Sequence, residues 1–173
     1  MTDTEKLQTI RAIVLDVDGV LTDGSIMYDH AGQQIMRFHV RDGLAIKQAM
    51  RAGYAVGIIT ARGGRALEHR LAELGVTHIV QQSKDKLQSL EMLCARLECT
   101  VQEVAYMGDD LADLKVMTAA GYAMATADAV AEVRELADHV TARLGGTGAV
   151  REAIEHLMAG CGLWQDVVDR YRQ

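Results

Sequence analysis

A chain of 173 residues with a net charge of −6, 49% hydrophobic and 24% charged, is long enough to bury a sizeable core. It is too acidic to present a footprint for nucleic acid or an anionic membrane. No opening segment joins a basic start to a continuous apolar stretch and no run reaches bilayer length, so a cytoplasmic protein is expected.

After a polar start from Met1 to Lys6, the apolar run Ile10 to Asp16 predicts a buried strand. It ends in Asp16-Val17-Asp18-Gly19. Two carboxylates one residue apart repel each other unless a cation or a proton compensates, so the pair points to a divalent metal or to acid/base work. Standing alone, the same four residues more often mark a strand that stops at a polar turn. Gly19 lets the backbone approach a ligand closely. Ser25 to Asp29 and Gln34 to Val40, alternating about the turn His30 to Gln33, predict a β-hairpin. Its apolar residues Ile26, Tyr28, Ile35, Met36 and Phe38 suit either an assembly element or a flap packed on its own domain.

Asp42 is expected to cap a helix running to Ala52, and Tyr54 to Thr60 to form a second buried strand with a polar tip. A helix over Gly64 to Leu74, a short strand Thr77 to Val80 and a helix from Ser83 to Leu97 follow. Thr100 to Glu103 fits a one-turn capping box before the strand Val104 to Met107. Asp109 to Asp113 opens the next helix. Tyr122 to Ala125, a helix near Ala129 to Leu136, Val140, the run Gly145 to Gly148 and a helix Ala149 to Met158 complete the pattern. Strands alternating with helices give an α/β fold, a Rossmann-like, mainly parallel sheet with helices on both faces and a projecting hairpin. The tail, about 160–173, has apolar residues at helical spacing and is read as too short and too remote for the core, hence as a segment that docks on a neighbour. Cys94, Cys99 and Cys161 lack ligand-like spacing and the six histidines are scattered; neither type is assigned chemistry.

Asp16, Asp18, Thr60, Lys86 and Asp109 all fall at strand or helix ends that share the carboxyl edge of such a sheet. A carboxylate nucleophile, a second carboxyl for proton transfer, a hydroxyl and an ammonium for phosphoryl oxygens, and a third acid for a metal make a phosphoryl-transfer site. A phosphate dianion can approach a carboxylate only if Mg²⁺ and Lys86 offset the repulsion. Taken singly, Lys86 reads as a solvated helix start, and Asp109, Asp110 and Asp113 as acids complementing a helix N-terminus.

In this order the motifs Asp-Val-Asp-Gly-Val, Thr60, Lys86 and Gly-Asp-Asp-Leu-Ala-Asp resemble those of the haloacid dehalogenase superfamily. Leu-Thr-Asp-Gly, the hairpin, Val40-Arg41-Asp42-Gly43, Ile59-Thr60-Ala61-Arg62, Arg70 and Gly145 to Glu152 extend the resemblance over nearly the whole chain, to the 3-deoxy-D-manno-octulosonate 8-phosphate phosphatase family. That resemblance implies Asp16 as the nucleophile forming an aspartyl-phosphate and Asp18 as the acid that protonates the leaving oxygen and then activates water. It implies Mg²⁺ on the Asp16 carboxylate, the Asp18 carbonyl and the Asp109 carboxylate, with Asp110 and Asp113 as supporting acids and Thr60 and Lys86 holding the phosphoryl group. For the sugar acid, Arg62 and Arg70, eight positions apart on one predicted helix, offer planar forks for a carboxylate. The resemblance adds Lys47 and His39, Val40, Arg41, Asp42 and Gly43, along with Asp18 and Lys86. Ala61 and Gln82 stand where the family often has glycine.

Forty-four positions separate Asp16 from Thr60, 26 separate Thr60 from Lys86 and 23 separate Lys86 from Asp109, all consumed by sheet elements. One domain over 1–173 with no separate cap is therefore expected, and something else must exclude water. In the resembled family, hairpins assemble a homotetramer and C-terminal tails reach adjacent sites. The implied activity is a step in lipopolysaccharide sugar biosynthesis. Three alternatives stay open: a phosphatase for a nine-carbon sugar-acid phosphate, a phosphotransferase using the same aspartyl-phosphate, and a non-catalytic oligomerisation module.

Overall fold

The structure, a computed structural model, describes residues 2–172. It begins with a helix, α1 (Asp3–Thr9), where the sequence suggests only a polar start. The cause is local: Thr2 and Glu5 form a capping box, each side chain accepting from the other's backbone N–H. β1 (Ala12–Leu15) is buried throughout. The hairpin is present but short, with β2 (Met27–Tyr28) antiparallel to β3 (Gln34–Ile35). Asp29 pins its turn by accepting from the N–H groups of Ala31 and Gln33, both at 2.8 Å.

In α2 (Val40–Arg51) the expected cap is corrected. His39 holds the N-cap position, while Asp42 lies buried in the first turn and accepts from the Arg151 N–H at 2.8 Å. The local pattern hid this because the partner is 109 residues away. The chain continues through β4 (Ala55–Ile59), α3 (Arg65–Leu74), β5 (His78–Val80) and α4 (Lys86–Leu97). α4 starts later than Ser83 because Asp85 caps it, accepting from Leu87 and Gln88. β6 (Val104–Gly108), α5 (Leu114–Ala119), β7 (Tyr122–Ala125), α6 (Ala131–Leu136), β8 (His139–Val140), α7 (Ala149–Gly160) and α8 (Trp164–Arg170) complete it.

Six parallel strands run in the order β5-β4-β1-β6-β7-β8. The order reverses at β1, which places a crevice beyond the carboxyl ends of β1 and β6. Side chains alternate between two cores. Ile13, Leu15, Val56, Ile58, Ala105 and Met107 face α2, α3 and α7, whereas Val14, Ile59, Val104 and Tyr106 face α4, α5 and α6. Each fully buried Ile or Leu contributes about 1.5–3 kcal/mol, so the strand that carries Asp16 is firmly held.

The tail departs from its expected place outside the core. Val167 is only 3% exposed and joins the core of its own chain, with Leu163 and Trp164 packed against it. Arg151 lies 4.7 Å above the Trp164 ring, and Tyr171 accepts a hydrogen bond from Gln48 at 2.5 Å. A single buried valine, two flanking apolar residues and one stacking arginine are enough to dock two turns of helix. No described helix is long and apolar enough to cross a membrane.

Candidate active site

Because β1 lies between β4 and β6, the residues that follow these strands meet at one edge. The Asp16 N–H donates to Met107 of β6 at 3.0 Å, which fixes where the β1 chain leaves the sheet. Lys86 arrives as the first residue of α4, and its Nζ lies 2.8 Å from Asp16 Oδ2 and 2.6 Å from Asp113 Oδ1. Asp109 closes the group from the end of β6. Gly19, at φ +85°, is required here twice: its backbone is left-handed, and a Cβ would collide with the Asp109 carboxylate.

Asp113 is fully buried and fully engaged. Its Oδ1 accepts from Lys86 and from the Tyr106 hydroxyl at 2.7 Å, and its Oδ2 from the N–H groups of Asp109 and Asp110 at 3.2 and 3.3 Å. A carboxylate has about four acceptor positions, so Asp113 has none to spare for a ligand. Asp110 is exposed and caps the short turn Leu111–Asp113 through the Leu111 N–H.

Charge is less complete than bonding. Asp16, Asp109 and Asp113 bring ligand atoms within 4.8 Å of one another around one ammonium. Burial, then the Asp113 charge, pushes Asp16 up to about 6 despite Lys86. Burial, then Asp16 and Asp113, pushes Asp109 up to about 7. Burial opposes the charge on Lys86, but Asp16 and Asp113 together raise it above the ordinary lysine value. Three carboxylates against one ammonium leave an excess of two negative charges, the amount one divalent cation balances. With Asp113 saturated, Asp16 and Asp109 supply the free oxygens, and hard oxygen donors are the set that Mg²⁺ takes. The residues present therefore fit a magnesium ion.

Around this centre, Thr60 is buried and its Oγ1 accepts the Arg62 N–H at 3.2 Å, which leaves its hydroxyl proton free. Asp18 is half-buried, with Arg62 Nε 4.0 Å from its Oδ2. Arg62 also reaches the hairpin, donating to Tyr28 at 3.4 Å. It lies in the loop ahead of α3, so Arg62 and Arg70 do not share a helix as the spacing suggested. Arg70 lies against Gly43 and 6.0 Å over the Phe38 ring. The cavity at Asp18 and Thr60 is completed by Val17, Gln34, Met36, Arg62, Gly63 and Leu67. His39, Val40, Arg41, Asp42, Gly43 and Lys47 line none of it; Val40 and Arg41 face outward, and Asp42 and Gly43 are buried. Gln82, which stands where the family often has glycine, holds a left-handed φ of +55°, the conformation glycine takes without strain.

Tyr106 escapes sequence reasoning, and the run Gly145 to Gly148 is legible only as a motif without a stated partner. Tyr106 reads as one more residue of an apolar strand. Gly145 and Gly146 press on the loop after Asp18: the Gly146 N–H donates to Val20 at 3.0 Å, and a Cβ on Gly145 would strike the Gly19 carbonyl. The glycine run signals close approach, but only the fold reveals to what.

Residues 72–154 match the model of the haloacid dehalogenase-like hydrolase family. The chain is 42% identical over 157 residues to the 3-deoxy-D-manno-octulosonate 8-phosphate phosphatase of Escherichia coli K12, covering 91% of this chain and 84% of that one. Its fold matches that of the same phosphatase from Moraxella catarrhalis, crystallised with magnesium ion, phosphate ion and KDO, at a TM-score of 0.94 and 34% identity, covering 97% of both chains. A cobalt-bound form of the enzyme from Haemophilus influenzae matches at a TM-score of 0.89 and 38% identity, covering 92% of this chain and 93% of that one.

Proposed function

The chain belongs to the 3-deoxy-D-manno-octulosonate 8-phosphate phosphatase family of haloacid dehalogenase-like hydrolases, and from that premise we propose that it hydrolyses this eight-carbon sugar-acid phosphate to the free sugar acid and phosphate through an aspartyl-phosphate on Asp16. The observation that carries the mechanism is the buried triad in which Lys86 bridges Asp16 and Asp113 while Asp109 stands beside them. Bound at the Asp16 and Asp109 carboxylates and the Asp18 carbonyl, Mg²⁺ would supply Lewis-acid polarisation of the phosphoryl oxygens and cancel the excess negative charge.

The chain's own groups do the rest. A carboxylate oxygen of Asp16 attacks phosphorus, and the bond from phosphorus to the sugar oxygen breaks. Asp18 gives its proton to that leaving oxygen. In the second step Asp18 recovers a proton from water as the resulting hydroxide attacks phosphorus and releases Asp16. Thr60 donates its free hydroxyl proton to a phosphoryl oxygen, and Lys86 an N–H that Asp113 does not hold, its ammonium kept beside Asp16 by their ion pair. Asp110 and Asp113 support the loop rather than meet the substrate.

The sugar acid's carboxylate falls to Arg62, beside Asp18; Arg70, His39, Asp42 and Gly43, which line a second small cavity, and Val40, Arg41 and Lys47 are further substrate-binding candidates outside the cavity at Asp18. We place the protein in the cytoplasm as one capless catalytic domain that forms a homotetramer through the hairpin, whose Ile26, Met27, Tyr28 and Ile35 are exposed. The pathway would be the making of the lipopolysaccharide core sugar.

Phosphate release from the eight-carbon substrate, nine-carbon sugar-acid phosphates and hexose phosphates, each with Mg²⁺ and with chelator, tests this reading. A metal-dependent preference for the eight-carbon compound is expected. Preference for a nine-carbon compound moves the assignment to that substrate, and no release from any of them replaces the enzyme with an oligomerisation module.

A further inference from the structure

Tyr106 is a fully buried ionisable side chain that none of the steps above uses. Its ring sits in the core under α4 and α5, among Val14, Leu90 and Leu93, a setting that phenylalanine would fill as well. Its hydroxyl nevertheless leaves that core and donates to Asp113 Oδ1 at 2.7 Å, the same oxygen that accepts from Lys86 at 2.6 Å. Burial and the acids around it push the phenol well above its ordinary value, so it stays a donor.

An ammonium has three N–H bonds in fixed tetrahedral directions. One on Lys86 is donated to Asp113, and the ammonium is ion-paired with Asp16 at 2.8 Å, so the directions left for a ligand follow from where those two carboxylates stand. Asp16 is fixed by β1. Asp113 Oδ2 is held by two backbone N–H groups, but Oδ1 has only Lys86 itself and Tyr106. Without the phenol, the carboxylate is free to turn about its Oδ2 anchor and follow the ammonium, and more of its charge falls on Lys86.

We propose that Tyr106 is a positioning residue for phosphoryl transfer: its buried hydroxyl fixes Asp113 Oδ1, and through it the aim and the available charge of the Lys86 N–H that meets the phosphoryl oxygen. The inference rests on the phosphoryl-transfer reading of the site, not on the identity of the sugar. Misplacing a group that stabilises the transition state lowers the chemical step more than it weakens ground-state binding.

The test is Tyr106→Phe in the full-length chain with Mg²⁺, assayed on an aryl phosphate, which needs only the phosphoryl site. Lys86→Arg and the double variant are measured alongside, with the thermal midpoint of each. Expected is a fall in kcat of about 10-fold to 100-fold with KM changed less than threefold. The Tyr106→Phe midpoint should lie close to that of the parent. In the Lys86→Arg background, where the three-fold ammonium geometry is gone, Tyr106→Phe should cost less than threefold further. An unchanged kcat, or an equal fall in both backgrounds that tracks a lowered midpoint, overturns the positioning role and leaves Tyr106 a packing residue. A parent chain that releases phosphate from neither the aryl phosphate nor the eight-carbon sugar-acid phosphate overturns the phosphoryl-transfer reading instead; where only the latter turns over, the same variants are compared on it.

Discussion

At the carboxyl edge of the sheet the polar atoms of Asp113 all have partners, and what is lacking is positive charge: Asp16, Asp109 and Asp113 share one ammonium. At the hairpin the reverse holds. Its turn is pinned by Asp29 and its two-residue strands are paired, but Ile26 and Tyr28 are 54% and 59% exposed, and what is lacking is cover. A centre short of charge is completed by a small cation; a surface short of cover is completed by another apolar surface. On the proposed function, the chemistry is carried by one chain and its metal, while the proposed assembly would enclose the substrate.

The largest effect that can break this division is at Asp16. Asp16→Asn keeps the shape and removes the proposed nucleophile, and kcat for phosphate release should fall about 10³-fold or more while sedimentation stays that of the parent. If activity survives, the charge-poor centre is not the reacting one. Next is the metal. Asp16 and Asp109 hold their protons above the unfolded carboxylate value, so in metal-free protein the folded state binds more protons than the unfolded state between about pH 4 and about pH 7. Stability from these two acids is therefore fully present below about pH 4 and lost progressively as pH rises to the folded values of about 6 and about 7. Scanning calorimetry with chelator should show the midpoint falling over that interval, and Mg²⁺ should raise it most at the upper end, where both acids are ionised.

Gly145→Ala sharpens the link between loop and centre. The added Cβ meets the Gly19 carbonyl, a backbone atom that must move, so about 1–3 kcal/mol of stability should be lost in denaturant titration, with activity falling as the Asp18 to Gly19 loop shifts. Ile26→Ser with Ile35→Ser addresses the other region. Sedimentation should show smaller species, with the stability of the single protomer changed by only about 0.5 kcal/mol. Smallest of all, Gln82→Gly should gain about 0.5 kcal/mol by relieving the left-handed backbone, partly offset by glycine's freedom in the unfolded chain.

The difference between the regions also decides what the sequence could reveal. Asp16, Thr60, Lys86 and Asp109 were legible because each sits at the end of a strand or the start of a helix, and a parallel sheet sends all such ends to one edge. The hairpin was legible from alternation, although the paired strands prove only two residues long. The α1 capping box at Thr2 and Glu5 is written in the sequence, but a segment with Leu7 as its one apolar residue has no helical period to announce it. Asp42 reads as the cap of its own helix because local rules do not see the Arg151 N–H in the first turn of α7, 109 positions on, that its carboxylate accepts from. Arg62 was placed on a helix that begins three residues later. Tyr106 was invisible for a different reason: an aromatic residue in an apolar strand satisfies the pattern completely, and its one polar atom matters only once Asp113 is seen above it.

The most direct test of the covalent centre is to quench the chain with its substrate during the first turnovers, reduce with borohydride, and map the peptides by mass spectrometry. An acyl phosphate on Asp16 is reduced to homoserine, so the peptide carrying residues 12–19 should show that change, dependent on Mg²⁺ and absent from Asp16→Asn. Full-rate turnover with Asp16 unmodified at every quench time would contradict the account and assign the attack on phosphorus to water.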